Sequence, residues 1–222
     1  KFPKDVLKIK KKLKIGFDPK FHNKKQLDFY FNNKKFYLKP LNKNLIDLLW
    51  LDKPKDMVKP FYLLSKKEVG ESSKNKIKKV KNILLKNKVD YLLVTAPENV
   101  AWILNIRGSD SAFSPIPNAR LLISSKGNIV FFSQLKKVTK IKKNFSKEIE
   151  FYDEKKIEKK LRNLWKSNIW LDSLSCSIHY KNLLSKKNRI VEKIDPIYFF
   201  KSIKNPTEMQ NMKKSHIADG VA

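Results

Sequence analysis

Residues 89–110 read VDYLLVTAPENVAWILNIRGSD, and three local signals follow one another there. VDYLLVT centres on the apolar run YLLV, of strand length, and reads as a buried strand. APENVAWILN opens with Pro97 and Glu98, both favoured in the first turn of a helix. The apolar run then stops at Arg107-Gly108-Ser109-Asp110, and a proline-bearing loop, SAFSPIPNAR, leads to a second apolar run, LLIS. Strand, helix, loop and strand in this order define an α/β unit with a mixed sheet.

The same alternation extends on both sides. Upstream, SSKNKIKKVKNILLKNK has serines suited to an N-cap and apolar residues at 77, 80, 83 and 84, so a helix is predicted with its lysines on the solvated face. Downstream, ARLLIS and IVFFS flank a KGN turn and predict a hairpin. EIEFYD is a further strand. EKKIEKKLRNLWKS is an amphipathic helix with Ile157, Leu161, Leu164 and Trp165 inward. NIWLDS, CSIHYKNLLSKKN and RIVEKID repeat strand, helix, strand. PTEMQNMKKSHIADGVA begins a last helix with Met209, Met212 and His216 near one face.

Residues 1–52 carry a shorter β-α-β-α pattern: KLKIGFDP, NKKQLDFYFNN, KFYLKPL and NLIDLLW, the last expected to bury Leu45, Leu48, Leu49 and Trp50. Residues 53–71 hold Pro54, Pro60 and Gly70 without a period and are the linker expected between the two units. The chain starts at Lys1 and ends within a helical pattern, so a piece of a longer protein is expected, with the first unit incomplete.

The net charge is +29, from 50 basic and 21 acidic residues. Only four of the basic residues are Arg, at 107, 120, 162 and 189. Nucleic-acid readers favour Arg, whose planar fork grips phosphate and guanine edges. The lysines are also spread along the chain rather than gathered in a block. The excess therefore reads as drift of an AT-rich coding sequence before it reads as a nucleic-acid surface; a basic binding module is the alternative. Cys176 is the single cysteine, which excludes an internal disulfide and suits a structural thiol. His22, His179 and His216 lack ligand spacing. No apolar run approaches the roughly 20 residues of a membrane span.

Within NIRGSD, Gly108 suggests a turn that a Cβ would resist. Arg107 offers five donors in a fixed fork, suited to a carboxylate or a peptide carbonyl. Asp110 can pair with Arg107 in a buried bridge that holds the loop, or with a subunit neighbour.

In its context ENVAWILNIRGSDSAFSPIPNARLLI, residues 98–123, resembles the second domain of the three-domain cytosolic X-prolyl aminopeptidases, whose pattern is AWLFNIRGSD followed by a proline-containing loop and a strand. Three more landmarks fall in order. IDLLWLDKP (46–54) resembles the W-x-D-R-P junction, with Lys53 where Arg is usual. GESSKNKI (70–77) resembles the GESSxxKI opening of the second domain. IKNPTEMQNMKKSHIADGVA (203–222) resembles the KNPxE…AHxxDGxA helix that opens the catalytic domain.

The resemblance implies an α/β, mixed-sheet creatinase-type amino-terminal region: the end of domain I (1–52), a linker (53–71), domain II (72–200), and only the first helix of a pita-bread catalytic domain (201–222). It implies a cytoplasmic homodimer that cleaves short peptides before proline with two divalent metal ions, usually manganese. Two Asp, one His and two Glu hold those ions in the family, all beyond the position matching Ala222, so no catalytic residue or metal ligand is expected in this chain. A pseudoenzyme on the same fold is the alternative. Arg107, Asp110, Phe113 and Asn105 are the candidates for a cleft-facing or interface loop at 107–118.

Overall fold

A computed structural model describes Pro3 and residues 11–32, 34–54, 58–145 and 147–221; the expectations for residues 1–2, 4–10, 33, 55–57, 146 and 222 lie outside the described residues. In the first unit, strands β1 (Leu13–Phe17) and β2 (Phe36–Pro40) pair in parallel with Leu13 opposite Phe36. Helix α1 (Lys24–Phe31) crosses between them, and α2 (Leu45–Leu49) follows. Asn23 caps α1 in a reciprocal box with Gln26, and the Asn44 side chain accepts the first free N–H groups of α2. The elements form as their sequence predicts, but the expected burial fails. Leu45, Leu48, Leu49 and Trp50 are all exposed, because no layer among the described residues covers that face of α2.

The second half of the 53–71 segment is built into the larger unit. Phe61 is fully buried and its N–H donates to Lys137 O at 2.8 Å. Strand β3 (Tyr62–Leu63) precedes the short helix α3 (Lys66–Val69), which ends at Gly70 in the left-handed region at φ +72°. Then come α4 (Ser73–Lys86), β4 (Tyr91–Val94), α5 (Pro97–Leu104) and β5 (Ile106–Arg107), which pairs antiparallel with β3. This small β3–β5 ribbon has no counterpart in the sequence reading, since two-residue strands carry no periodicity.

The remaining elements are β6 (Arg120–Ser124), β7 (Ile129–Ser133), β8 (Ile149–Asp153), α6 (Ile157–Arg162), β9 (Asn168–Leu171), α7 (Ile178–Ser185), β10 (Arg189–Glu192), α8 (Pro196–Ser202) and α9 (Pro206–Val221). Six strands form one mixed sheet in the order β10-β9-β4-β6-β7-β8. The β6–β7 pair is the expected antiparallel hairpin, and β4 joins it antiparallel while running parallel to β9.

The sheet is buried on both faces. Along β4, Leu92 and Val94 point to one core, with Val80, Leu84, Val100 and Ile103 of α4 and α5. Leu93, one residue out of phase, points to the other, with Ile157, Leu161 and Leu184 of α6 and α7. Each fully buried aliphatic side chain stabilises the fold by about 1.5–3 kcal/mol. Helix α6 ends at Arg162, earlier than predicted. Past that end Asn188 donates to Leu164 O at 3.1 Å, Leu164 packs partly buried against the core, Trp165 is exposed beside Lys187, and Lys166 takes a left-handed φ of 49°.

The two units touch along α7. Ile178 N–H donates to His22 O and His179 N–H to Pro19 O, both at 2.9 Å, and Asn23 Nδ2 donates to Leu174 O at 2.6 Å.

Candidate functional site

The proline-bearing loop has a stapled base and a free tip. The base starts at Asn105, where α5 ends in the left-handed region at φ 55°. Asn tolerates that conformation better than other residues with a Cβ. Asn105 is buried, and its polar atoms are partnered: Oδ1 accepts from Lys76 Nζ at 2.7 Å, Nδ2 donates to Glu71 O at 2.8 Å, and its carbonyl accepts Leu64 N–H at 2.9 Å.

Arg107 and Asp110 do not pair, which corrects the bridge considered from sequence. Arg107 Nη1 donates instead to two carbonyls, Ile106 O at 2.9 Å and Ala101 O at 3.3 Å. Half-burial lowers its pKa from the ordinary value, and the nearby Tyr62 and Glu68 act in the opposite direction. Asp110 is held by Lys137, 2.6 Å away, and accepts Asn118 N–H at 2.6 Å. Both side chains of the Asp110–Lys137 pair are nearly buried, at 9% and 5% exposure, so each charge depends on the other. Lys137 also accepts Phe61 N–H through its carbonyl, so the pair fastens the loop, β7's trailing turn and the segment before β3 together.

Gly108 is required for space rather than for its backbone angle. A Cβ there would stand 2.9 Å from Pro117 Cα and 3.0 Å from the Phe61 ring, and Gly108 is not among the residues with positive φ. Its N–H donates to Pro115 O at 3.0 Å, closing the loop on itself. At the tip, Phe113 is fully exposed with φ 60°, an uncommon backbone state for an aromatic residue. An open hollow of about 470 Å³ lies beneath it, bounded by Lys59, Tyr62 and Pro115.

A second feature stands behind the loop. Lys76 was expected on the solvated face of α4, yet it is 1% exposed. It precedes Val80 by four residues and Leu84 by eight, the phase of the buried stripe, and that spacing was the available signal. Its Nζ also donates to Trp102 O at 3.1 Å and sits 4.1 Å from the centre of the Trp102 ring. Burial pushes its pKa down to about 8. An open groove of about 550 Å³ runs from Trp102 along α9, past Glu208, Met212 and His216.

Elsewhere the titratable groups are structural. Cys176 is buried, its thiol pushed up to about 12 by burial and then by the Asp172 carboxylate. Asp172 accepts Leu174 N–H at 2.8 Å, a turn role. The three histidines are apart: His22 Nδ1 lies 3.0 Å from Asp18 O, His179 Nε2 lies 3.0 Å from Glu158 Oε1, and His216 is exposed on α9. Among the described residues, no three His, Cys, Asp or Glu side chains are grouped to hold a metal. No helix among them is long and apolar enough to cross a membrane.

The fold and the junctions around residues 70–77, 98–118 and 203–208 define an amino-terminal creatinase-type module. Residues 52–208 match the creatinase/prolidase N-terminal domain, and the chain belongs to that family. Among curated relatives it is 31% identical to Xaa-Pro aminopeptidase 1 of Dictyostelium discoideum over 96% of this chain and 36% of that protein. It is 29% identical to Xaa-Pro aminopeptidase ApepP of Drosophila melanogaster over 94% of this chain and 35% of that protein. The crystal structure of X-prolyl aminopeptidase from Caenorhabditis elegans, described as a cytosolic enzyme with a di-nuclear active site, shares the fold. Its TM-score is 0.82 at 22% identity, covering 94% of this chain and 36% of that one. The chain thus spans about a third of the length of the relatives it matches.

Proposed function

We propose that this chain is the amino-terminal, non-catalytic region of a metal-dependent X-Pro aminopeptidase, which removes the first residue from peptides with proline in second position. The observation that carries the reading is the match, over 96% of this chain, to a protein named for that activity, 36% of whose length is covered. On this reading residues 1–52 belong to a first unit, 53–71 lead to a second at 72–200, and 201–222 open a third. The third unit supplies the chemistry with two divalent metal ions, manganese in our reading, in a cytoplasmic enzyme. The di-nuclear centre named for the Caenorhabditis elegans protein supports the metal count.

The region present here walls the cleft and supports a homodimer, and the 107–118 loop faces one or the other. Its architecture supports this role. A base fixed by Asn105 and the Asp110–Lys137 pair can hold an exposed aromatic, Phe113, at a set position, and Arg107 braces the same base.

Reading the frame past Ala222 tests the proposal. A continuous frame without two Asp, one His and two Glu in a downstream domain would sink the enzyme reading and leave a binding protein on the same fold. The 222-residue chain by itself is expected to bind no stoichiometric manganese and to leave an X-Pro dipeptide intact. DNA binding that survives physiological salt would instead favour the basic-module alternative.

A further inference from the structure

Stretches 70–77, 98–110 and 203–208 are far apart in sequence, yet their polar side chains meet at one junction around the buried Lys76 and Asn105. Lys76 donates to Asn105 Oδ1 and Trp102 O, and its ammonium lies against the Trp102 ring. The same indole donates through Nε1 to Glu208 Oε1 at 3.1 Å. Glu208 Oε2 accepts Asn205 N–H at 3.0 Å, and Asn205 Oδ1 accepts Glu208 N–H at 3.0 Å, a reciprocal box over the first turn of α9. Asn205 Nδ2 then reaches Val69 O at 2.8 Å, and Asn211 Nδ2 reaches Glu68 O at 2.9 Å.

Helix α9 has 16 residues and buries none of them, so apolar packing does not set its direction. Among the described residues, directional hydrogen bonds over its first two turns orient it. An apolar side chain would fill the Lys76 position without desolvating a charge. What lysine adds there is its set of directed contacts to the loop base and the indole.

We infer that Lys76 is a positioning residue: through Asn105 and Trp102 it fixes both the base of the 107–118 loop and the direction in which α9 leaves the sheet unit. Glu208 of α9 and Glu71 before α4 favour its charge, while Arg107 of β5 and Lys79 of α4 oppose it. The inference deepens the proposed function, because the resemblance puts the start of the catalytic domain at α9. Its test needs only the 222-residue chain and no peptidase assay, so the two readings fail separately.

The chain is labelled with 5-fluorotryptophan, and the Trp102 resonance is assigned with Trp102→Phe and followed by ¹⁹F NMR from about pH 6 to about pH 11. In the wild type it is expected to titrate with a midpoint of about 8. Lys76→Met abolishes that titration. It also speeds amide exchange in the first turns of α9 about tenfold, while the β4 amides keep their protection. Glu208→Gln, a milder change at a partly exposed site, moves the midpoint to lower pH, because it removes a carboxylate that favours the ammonium. A Trp102 resonance flat with pH in the wild type overturns the inference. So does unchanged α9 exchange in a folded Lys76→Met protein. If Lys76→Met does not fold, Glu208→Gln decides alone, and an unmoved midpoint overturns it.

Discussion

Helices α2 and α4 begin alike and end in opposite surroundings. Asn44 caps the first and Ser72 the second, each accepting backbone N–H groups of the opening turn, and both helices carry an apolar stripe. In α4 the stripe of Ile77, Val80 and Leu84 lies against a six-stranded sheet and is buried. In α2, Leu45, Leu48 and Leu49 face no covering layer among the described residues. Caps and spacing decide that a helix forms. A facing layer decides what its stripe contributes to stability.

The sharpest way to break this contrast is truncation of matched leucines. Leu84→Ala is expected to cost about 2–5 kcal/mol in urea unfolding, with transfer and cavity contributions together. Leu49→Ala is expected to stay within about 0.5 kcal/mol. A large loss at Leu49 in the 222-residue chain would show that the α2 face is covered in solution. Next in size is the Asp110–Lys137 pair. Asp110→Ala strands a buried ammonium and is expected to cost about 3 kcal/mol, and the double change with Lys137→Met to recover a substantial part of it.

Two buried ionisable groups sharpen the comparison through pH, with opposite signs. Asp195 caps α8, accepting Ile197 N–H and Asn99 Nδ2, both at 2.9 Å, and burial raises its pKa from 3.8 to about 6. Between those values the folded chain binds more protons than the unfolded one, so stability falls as pH rises through that window. Asp195→Asn is expected to flatten that fall. Lys76 is depressed from 10.5 to about 8, so there the unfolded chain binds more protons and stability rises with pH across that range. Unfolding curves of wild type and Lys76→Met, taken at several pH values, should diverge in the wild type's favour as pH rises from 8.

The smallest effects are those the two units share. Asn44→Ala and Ser72→Ala each remove one cap and are expected to cost about 1 kcal/mol of helix stability, read by helicity for α2 and by global unfolding for α4. Equal helix losses with unequal global losses would confirm that the difference between the units lies in packing.

The sheet, its hairpin and most helices were legible in the sequence because their signals are local: the apolar run at 91–94, the Pro97-Glu98 start of α5, the KGN turn between β6 and β7. Readings failed where the outcome depended on distant residues, as with the exposed Leu45, Leu48, Leu49 and Trp50, which no layer among the described residues covers. Trp165 is exposed where the chain leaves the helix and Asn188, 24 positions from Leu164, takes the Leu164 carbonyl. Lys76 is buried because Asn105 and Trp102 await it. Arg107 leaves Asp110 because backbone carbonyls stand nearer and Lys137 takes the acid. That a Cβ is resisted at Gly108 was legible, but that Pro117 and Phe61 are what crowd it was not.

The sequence by itself determined the strand and helix order, the caps and the landmarks that mark the family, since each is written within a few residues. Only the tertiary structure decided which charges pair, which aromatics are buried, and that three of those landmarks meet at Lys76, Trp102 and Glu208. Pairing and burial are properties of neighbours brought together by folding, and a buried charge settles on whichever partner the packed backbone puts within hydrogen-bond reach.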